Sequence, residues 1–332
     1  MATELKPLPA PSVEKTPEAY DDEGCEDPVG PKNIKKTLES IREDALVRRQ
    51  NLAQLRDWIA KHPHIRHCRT DALFLLRFLR TRKFSFLVAS QTLERYLAAR
   101  ALHPRWFQQL DINDPELQHL TEIGFVYPLR ERTADGCLVL LCDWGLLDPK
   151  VHTIDHSNRM HVMLAEAYGE DPVVQCAGVI AIFDLQHITL AHHGLISLSS
   201  LRQITRYLNN SFPVRCQAIY AVNVPSAAMW IVNGFVGFLN EKIQSRVRLF
   251  HNYEELAEKL DRNLLPQECG GKLPKSEHIK AFRGQCERYR SRMLALDEMD
   301  IDLDHSEPYS RNAMLDDVES GAVGSFRKLE LD

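Results

Sequence analysis

No apolar run in these 332 residues approaches the roughly 20 needed to cross a bilayer as a helix. The start, Met1-Ala-Thr-Glu-Leu-Lys-Pro7, lacks the basic-then-apolar pattern of a secretory signal, so the expected compartment is the cytosol. Catalytic signatures are missing too. There is no Gly-x-x-x-x-Gly-Lys-[Ser/Thr] loop, no Gly-x-Gly-x-x-Gly, no His-Glu-x-x-His and no Gly-x-Ser-x-Gly, which removes the commonest NTPase, dehydrogenase, metalloprotease and hydrolase readings. The eight cysteines (25, 68, 137, 142, 176, 216, 269 and 286) include no Cys-x-x-Cys pair. Several fall in apolar runs, where free cysteine behaves as a small hydrophobe, and a disulfide framework is not expected.

What is present is ordinary in bulk and uneven in detail. Apolar residues make up 44% and charged residues 26%, as in a soluble globular chain with one or two domains. The net charge of −5 conceals an asymmetry: residues 31–110 carry 17 Lys and Arg against 6 Asp and Glu, whereas residues 1–30 and 291–332 are acidic. A basic block between acidic ends suits an anionic partner, membrane or nucleic acid. Few aromatics accompany Arg77, Arg80 and Arg82 in a form that could stack on bases, so nucleic acid is the weaker choice.

Residues 1–30 are rich in Pro, Glu, Asp and Gly and are expected to be disordered. From Pro31 the pattern is helical: Ile34, Leu38, Ile41 and Ala45, then Leu52, Leu55, Trp58 and Ile59, recur at three to four residues. His62-Pro63 breaks this run, and Thr70 or Asp71 can N-cap a helix carrying Leu73, Phe74, Leu76, Phe78 and Leu79. Another helix follows Ser85, giving a small all-α domain over 31–110. Beyond Asp111 the texture changes. Runs at 137–142, 179–183 and 218–222 read as strands buried on both faces, and helical stretches at 154–168, 195–209 and 227–246 separate them. The alternation implies an α/β domain with a mostly parallel sheet over 111–275, then a helix at about 276–299 and an acidic tail to 332.

The histidine groups (His62, His64 and His67; His152, His156 and His161; His192 and His193) tempt a metal reading. No cysteine or carboxylate completes a ligand set, and none is assigned. Asp184 ends an apolar run where α/β sheets place catalytic groups, but a turn or cap role fits it better. The stretch 227–246 is more informative. Met229, Trp230, Ile231, Val232, Phe235 and Phe238 leave almost no polar face, and its end supplies Lys242 and Arg246. That layout is either a core helix with cations on its C-terminal dipole, or an element covering something apolar while meeting an anionic surface. Both remain open from periodicity alone.

In combination, Leu75-Leu-Arg-Phe-Leu-Arg-Thr-Arg-Lys-Phe84, Ala181-Ile-Phe-Asp-Leu185, Ser211-Phe-Pro213, Val222-Asn-Val-Pro225, Phe238-Leu-Asn-Glu-Lys-Ile243 and the Leu265-Pro266 to Gly270-Gly271 segment resemble the CRAL-TRIO lipid-binding family, in its α-tocopherol transfer protein and cellular retinaldehyde-binding protein branch. The resemblance spans about residues 45–273. It implies a CRAL-TRIO fold: a mostly parallel sheet flooring a hydrophobic pocket under a mobile helical gate, after a small helical domain. By motif it places Arg82, Arg215, Lys242 and Arg246 around a phosphoinositide headgroup. The pocket would draw on His161, Ala165, Val179, Phe183, Ile196, Ile204, Tyr207, Leu208, Phe212, Val214 and Cys216, with the gate at Met229–Phe238. Gln217 stands where the branch has a second base, Val236-Gly237 replaces a Lys-Pro pair, and Cys269 replaces a Tyr.

The function so implied is non-enzymatic and needs no cofactor. It is a carrier for a tocopherol-, retinoid- or phospholipid-like molecule, delivered at phosphoinositide-containing membranes, with transient residence on endosomal or plasma membrane surfaces. Two other readings stand beside it: a phosphoinositide-binding adaptor whose pocket is filled by side chains, and a hydrolase or isomerase using His161 or Asp184.

Overall fold

Asp44 and Asp71 open the first long helices by turning their carboxylates back on the chain, each accepting from an amide three residues on. A computed structural model describes residues 34–303. The expected acidic N-terminus, 1–30, and the tail from 304 lie outside the described residues. The helical layer comprises α1 (Ile34–Ile41), α2 (Ala45–Lys61), the short strand β1 (Ile65–His67), α3 (Ala72–Thr81), α4 (Phe86–Leu102) and α5 (Pro104–Phe107). α2 stops before His62-Pro63, as the proline requires.

The second layer runs α6 (Pro115–Glu122), β2 (Val126–Pro128), β3 (Leu138–Asp143), α7 (Ile154–Gly169), α8 (Pro172–Ala177), β4 (Val179–Asp184), α9 (Leu198–Asn210), β5 (Cys216–Val222), α10 (Met229–Phe238), α11 (Glu241–Gln244), β6 (Val247–Phe250), α12 (Tyr253–Leu256), α13 (Lys275–Leu294) and β7 (Asp300–Ile301). Five strands form one sheet in the order β2-β3-β4-β5-β6, with β2 antiparallel and the rest parallel. β1 pairs with β7 across the whole chain, Ile65 opposite Ile301. A single apolar cluster runs from Leu52 and Phe78 through Met160 and Ile182 to Met293 and Ile301, so the helical layer and the sheet layer share one core.

Four expectations change. The stretch 227–246 is not one helix: α10 ends at Phe238, and α11 restarts after Asn240. The break has side-chain causes. Gln244 Nε2 donates to the Val236 and Leu239 carbonyls, and Asn240 Oδ1 caps the Ile243 amide. The helix expected from 195 starts at Leu198, because Ser197 takes the N-cap and 190–194 form a 3-10 turn. The last helix stops at Leu294 and tightens into 3-10 geometry at Ala295–Glu298. β4, expected to be buried on both faces, is only half-buried at Val179, Ala181 and Phe183, because these residues border a cavity.

Part of the basic block is neutralised by ion pairs within the molecule, so its residue count overstates the charge it offers an anionic partner. Arg80 is fully buried; it donates through Nε and Nη2 to Glu43 and through Nη1 to Gln175. Arg77 Nη1 meets Glu166 Oε2 at 2.6 Å, and Tyr96 donates to the other oxygen at 2.7 Å. Burial alone would raise the Glu166 pKa; Arg77 and Arg100 outweigh it and hold the carboxyl below its usual range. Arg48 pairs with Glu43, Arg69 with Asp71 and Glu170, and Arg66 with Asp300 and Asp302. Glu166, Glu170, Asp300 and Asp302 lie far outside the block in sequence, so counting by window hides those pairings.

Candidate functional site: an apolar cavity with a cationic end

β3, β4 and β5 supply the floor of a cavity of about 350 Å³, and α7, α9 and α10 supply its walls. That volume lies within the roughly 300–1,000 Å³ of small-molecule sites. All eleven pocket residues expected from sequence line it: His161 and Ala165 from α7, Val179 and Phe183 from β4, Ile196 before α9, Ile204, Tyr207 and Leu208 on α9, and Phe212, Val214 and Cys216 leading into β5. The alternation of the β4 side chains explains why Val179, Ala181 and Phe183 face it together.

Several polar tips enter this apolar shell, among them those of His161 and Tyr207. His161 packs edge-on to Phe125 and stacks on Phe183. Its Nδ1–H donates to the Ser157 carbonyl at 2.8 Å, and in that tautomer Nε2 is an acceptor. Burial lowers its pKa, so the ring is neutral at physiological pH. Tyr207 lies against Phe107 and Phe212, and burial pushes its phenol well above the ordinary value.

At one end the lining turns cationic. Arg82, Lys83, Arg215, Lys242 and Arg246 all border the cavity. Lys83 and Lys242 are exposed, so this is where the cavity meets solvent. Arg82 is held by Thr92 Oγ1 at 2.8 Å and reaches the Asn210 carbonyl at 3.3 Å. Arg246 donates to the Cys216 carbonyl. Arg215 Nη1 is buried without a hydrogen-bond partner. Among the described residues none of the five has a carboxylate within ion-pair distance. Burial, and then the fields of Arg246, Lys83, Arg82 and Arg215, depress the Lys242 pKa. Burial, with Arg246 adding to it, depresses that of Arg215. Uncompensated cations converging on one spot are costly unless an anion meets them.

Lys83 was not singled out from the sequence, although it sits in the Arg-Thr-Arg-Lys run. Its placement depends on backbone geometry: Lys83 and Phe84 both adopt left-handed φ, 52° and 56°, as the Phe84 amide bonds back to Leu79. No spacing rule marks a non-glycine residue for that conformation. Gly178 also has a geometric duty. It sits at φ 92°, and a Cβ there would lie 2.3 Å from the Arg215 carbonyl, so only glycine lets β4 start beside that arginine. Gln217, in place of a second base, donates to the Ala177 carbonyl.

The gate residues divide. Ile231 and Phe235 line the cavity. Val232 instead packs with Leu185, Ile188, Ala221 and Ala228 in a second cluster. Met229 and Phe238 are half-buried outside the lining, and the Arg202 guanidinium lies 5.0 Å from the Phe238 ring centre. Trp230 is 37% exposed and donates to His193 Nε2. At the far end of α10, Asn209 accepts from the Asn240 backbone and side chain and donates to the Phe238 carbonyl. Gly234 lets α10 approach α9: a Cβ there would sit 3.2 Å from Leu201.

Asp184 accepts from the Gln186 amide, Asn223 and Tyr253, a set of ties that fits a turn role. Among the described residues no group of three or more His, Cys, Asp and Glu is arranged to hold a metal, and no helix is long and apolar enough to cross a membrane.

Comparison with known proteins follows the same outline. Residues 123–271 match the model of the CRAL/TRIO domain, and residues 45–117 match the Pinta-like UBA domain. Clavesin-1 of Xenopus laevis is 30% identical over 247 residues, covering 74% of this chain and 74% of the relative. Clavesin-2 of Rattus norvegicus is 29% identical over 247 residues, 74% of this chain and 76% of the relative. Among solved structures, that of Sfh5 superposes with a TM-score of 0.51 at 15% identity, covering 76% of this chain and 99% of that one. That likeness concerns the fold alone.

Proposed function

The chain belongs to the CRAL/TRIO domain family, and from that premise we propose that it is a carrier: it encloses one hydrophobic small molecule and releases it at membranes bearing phosphoinositides. The observation that carries the proposal is the joining of an apolar chamber to five cations that no carboxylate among the described residues neutralises. The chamber supplies affinity without directionality, at about 0.8 kcal/mol for each methylene removed from water. His161 Nε2 suits a cargo with one hydroxyl or other donor on an otherwise apolar body. Arg82, Lys83, Arg215, Lys242 and Arg246 suit a multiply phosphorylated headgroup, because several charge-assisted bonds to one anion exceed what exposed single pairs contribute.

Cargo held this way leaves slowly by itself. Headgroup binding beside the Asn209–Asn240 contact favours release only if the headgroup binds more tightly when α10 has moved, and that differential affinity is the mechanism proposed. A cavity of about 350 Å³ weighs against the adaptor reading, in which side chains fill the interior.

Native mass spectrometry with lipid extraction tests the cargo; vesicles of phosphatidylcholine with and without a phosphatidylinositol bisphosphate test the cations. One apolar molecule per chain, and vesicle binding lost in an Arg215→Gln/Lys242→Gln variant, are expected. Absence of any extractable lipophile, together with indifference to the phosphoinositide, overturns the reading.

A further inference from the structure

We propose that Leu87 and Val88, at the start of α4, form an apolar wedge that enters the outer layer of an anionic bilayer while the neighbouring cations hold a headgroup. The inference rests on the headgroup reading above and adds a second, independent contact with the same surface.

Leu87 is 66% exposed and Val88 39%, so neither is needed to fill the interior. Phe84 and Phe86, on either side of Ser85, are half-buried and pack on the core, anchoring the segment from which the two aliphatics project. Scattered exposed aliphatics are ordinary on soluble proteins. Position distinguishes this pair. Arg82 Nε donates to Thr92 Oγ1 at 2.8 Å, and the same hydroxyl donates to the Val88 carbonyl at 2.7 Å, so the first turn of α4 is one hydrogen-bonded link from a cation of the cavity. Lys83, exposed beside Arg82, is held there by its left-handed backbone.

The electrostatics favour the same occupant. No acidic residue occurs between Asp71 and Glu94. The first turn of α4 has no carboxylate, and Ser85 makes no side-chain cap, so its free amides add positive potential to that of Arg82 and Lys83. A greasy tip in a field of one sign complements an anionic lipid surface, where aliphatic insertion and charge attraction add. Leu46, equally bare at 61%, lies instead on α2 beside the Asp44 N-cap, outside the acid-free stretch, and serves as the control.

The test compares Leu87→Ser/Val88→Ser, Leu46→Ser and wild type on vesicles of phosphatidylcholine with phosphatidylinositol bisphosphate, on vesicles with phosphatidylserine instead, and with soluble inositol trisphosphate. The double variant is expected to lose roughly tenfold or more in vesicle affinity, from two aliphatics no longer inserted. It should keep its affinity for the soluble headgroup, and Leu46→Ser should match wild type throughout. Unchanged vesicle binding by the double variant overturns the wedge, as does an equal loss for vesicles and soluble headgroup. Loss of self-association in light scattering with vesicle binding intact assigns the tip to a second copy and also overturns it. If wild type ignores the soluble headgroup yet the double variant still loses phosphatidylserine vesicles, the headgroup reading fails while the wedge stands.

Discussion

Placing a benzene ring in the chamber by Ala165→Phe is expected to evict cargo without unfolding the protein. Ala165 borders the cavity from α7 together with Leu164, whereas Glu166 is buried outside the lining. A benzene ring occupies an apolar cavity of roughly 150 Å³, so it would claim a large share of the about 350 Å³ present. If the ring displaces roughly four methylenes of ligand, the loss is about 3 kcal/mol, or on the order of a hundredfold in affinity. The helix tolerates the change: phenylalanine costs about 0.5 kcal/mol against alanine in propensity, and burying its ring more than offsets this. The assay pairs cargo occupancy by native mass spectrometry with thermal unfolding. Occupancy should collapse while the melting temperature holds or rises, and binding to phosphoinositide vesicles should persist. A folded Ala165→Phe protein carrying as much lipophile as wild type refutes the reasoning.

Two further outcomes follow from the charges. Glu166→Gln strands the Arg77 guanidinium in a site where both side chains are 2% exposed, and should cost about 3–5 kcal/mol in urea unfolding. The Arg77→Met/Glu166→Leu double variant should recover most of that, and a loss under about 1 kcal/mol for the single variant contradicts the buried pairing. Lys242, its pKa depressed by burial and by four cations, binds fewer protons folded than unfolded just below the ordinary lysine value of about 10.4. Stability of the free protein should therefore rise with pH through that alkaline window, while affinity for a soluble inositol phosphate, which restores the proton, should fall. Lys242→Gln should remove both slopes, and pH profiles identical to wild type would sink the argument.

The pocket was legible through the family resemblance, and two simple periods make that placement physically coherent. Val179 and Phe183 share one face of a strand, and Ile204, Tyr207 and Leu208 recur on a helix, but periodicity alone marks these as buried and does not separate a cavity lining from a solid core. The cations were legible only where a motif carried them. Arg82, Arg215, Lys242 and Arg246 were placed by resemblance, whereas Lys83 depended on two left-handed residues that no period marks. Charge counting misled where long-range pairing decides: Arg77 and Arg80 look like surface from their neighbours, and Glu166 and Glu43 bury them. The break in the gate was hidden because Gln244 and Asn240 act on carbonyls and amides rather than through their own hydropathy. Short edge strands such as β6 lack a signal long enough to separate them from loop.

The pairing of Ile65 with Ile301 has a consequence for how the molecule is made. A contact between residues so far apart cannot form until nearly the whole described chain has been synthesised, and its loop-closure entropy is repaid only at the end. β1 must therefore wait, unpaired, while the sheet and cavity assemble behind it. Folding should close with β7 fastening the first layer to the last helix, and an interruption before Asp300 would leave a molecule whose chamber has formed but whose clasp has not.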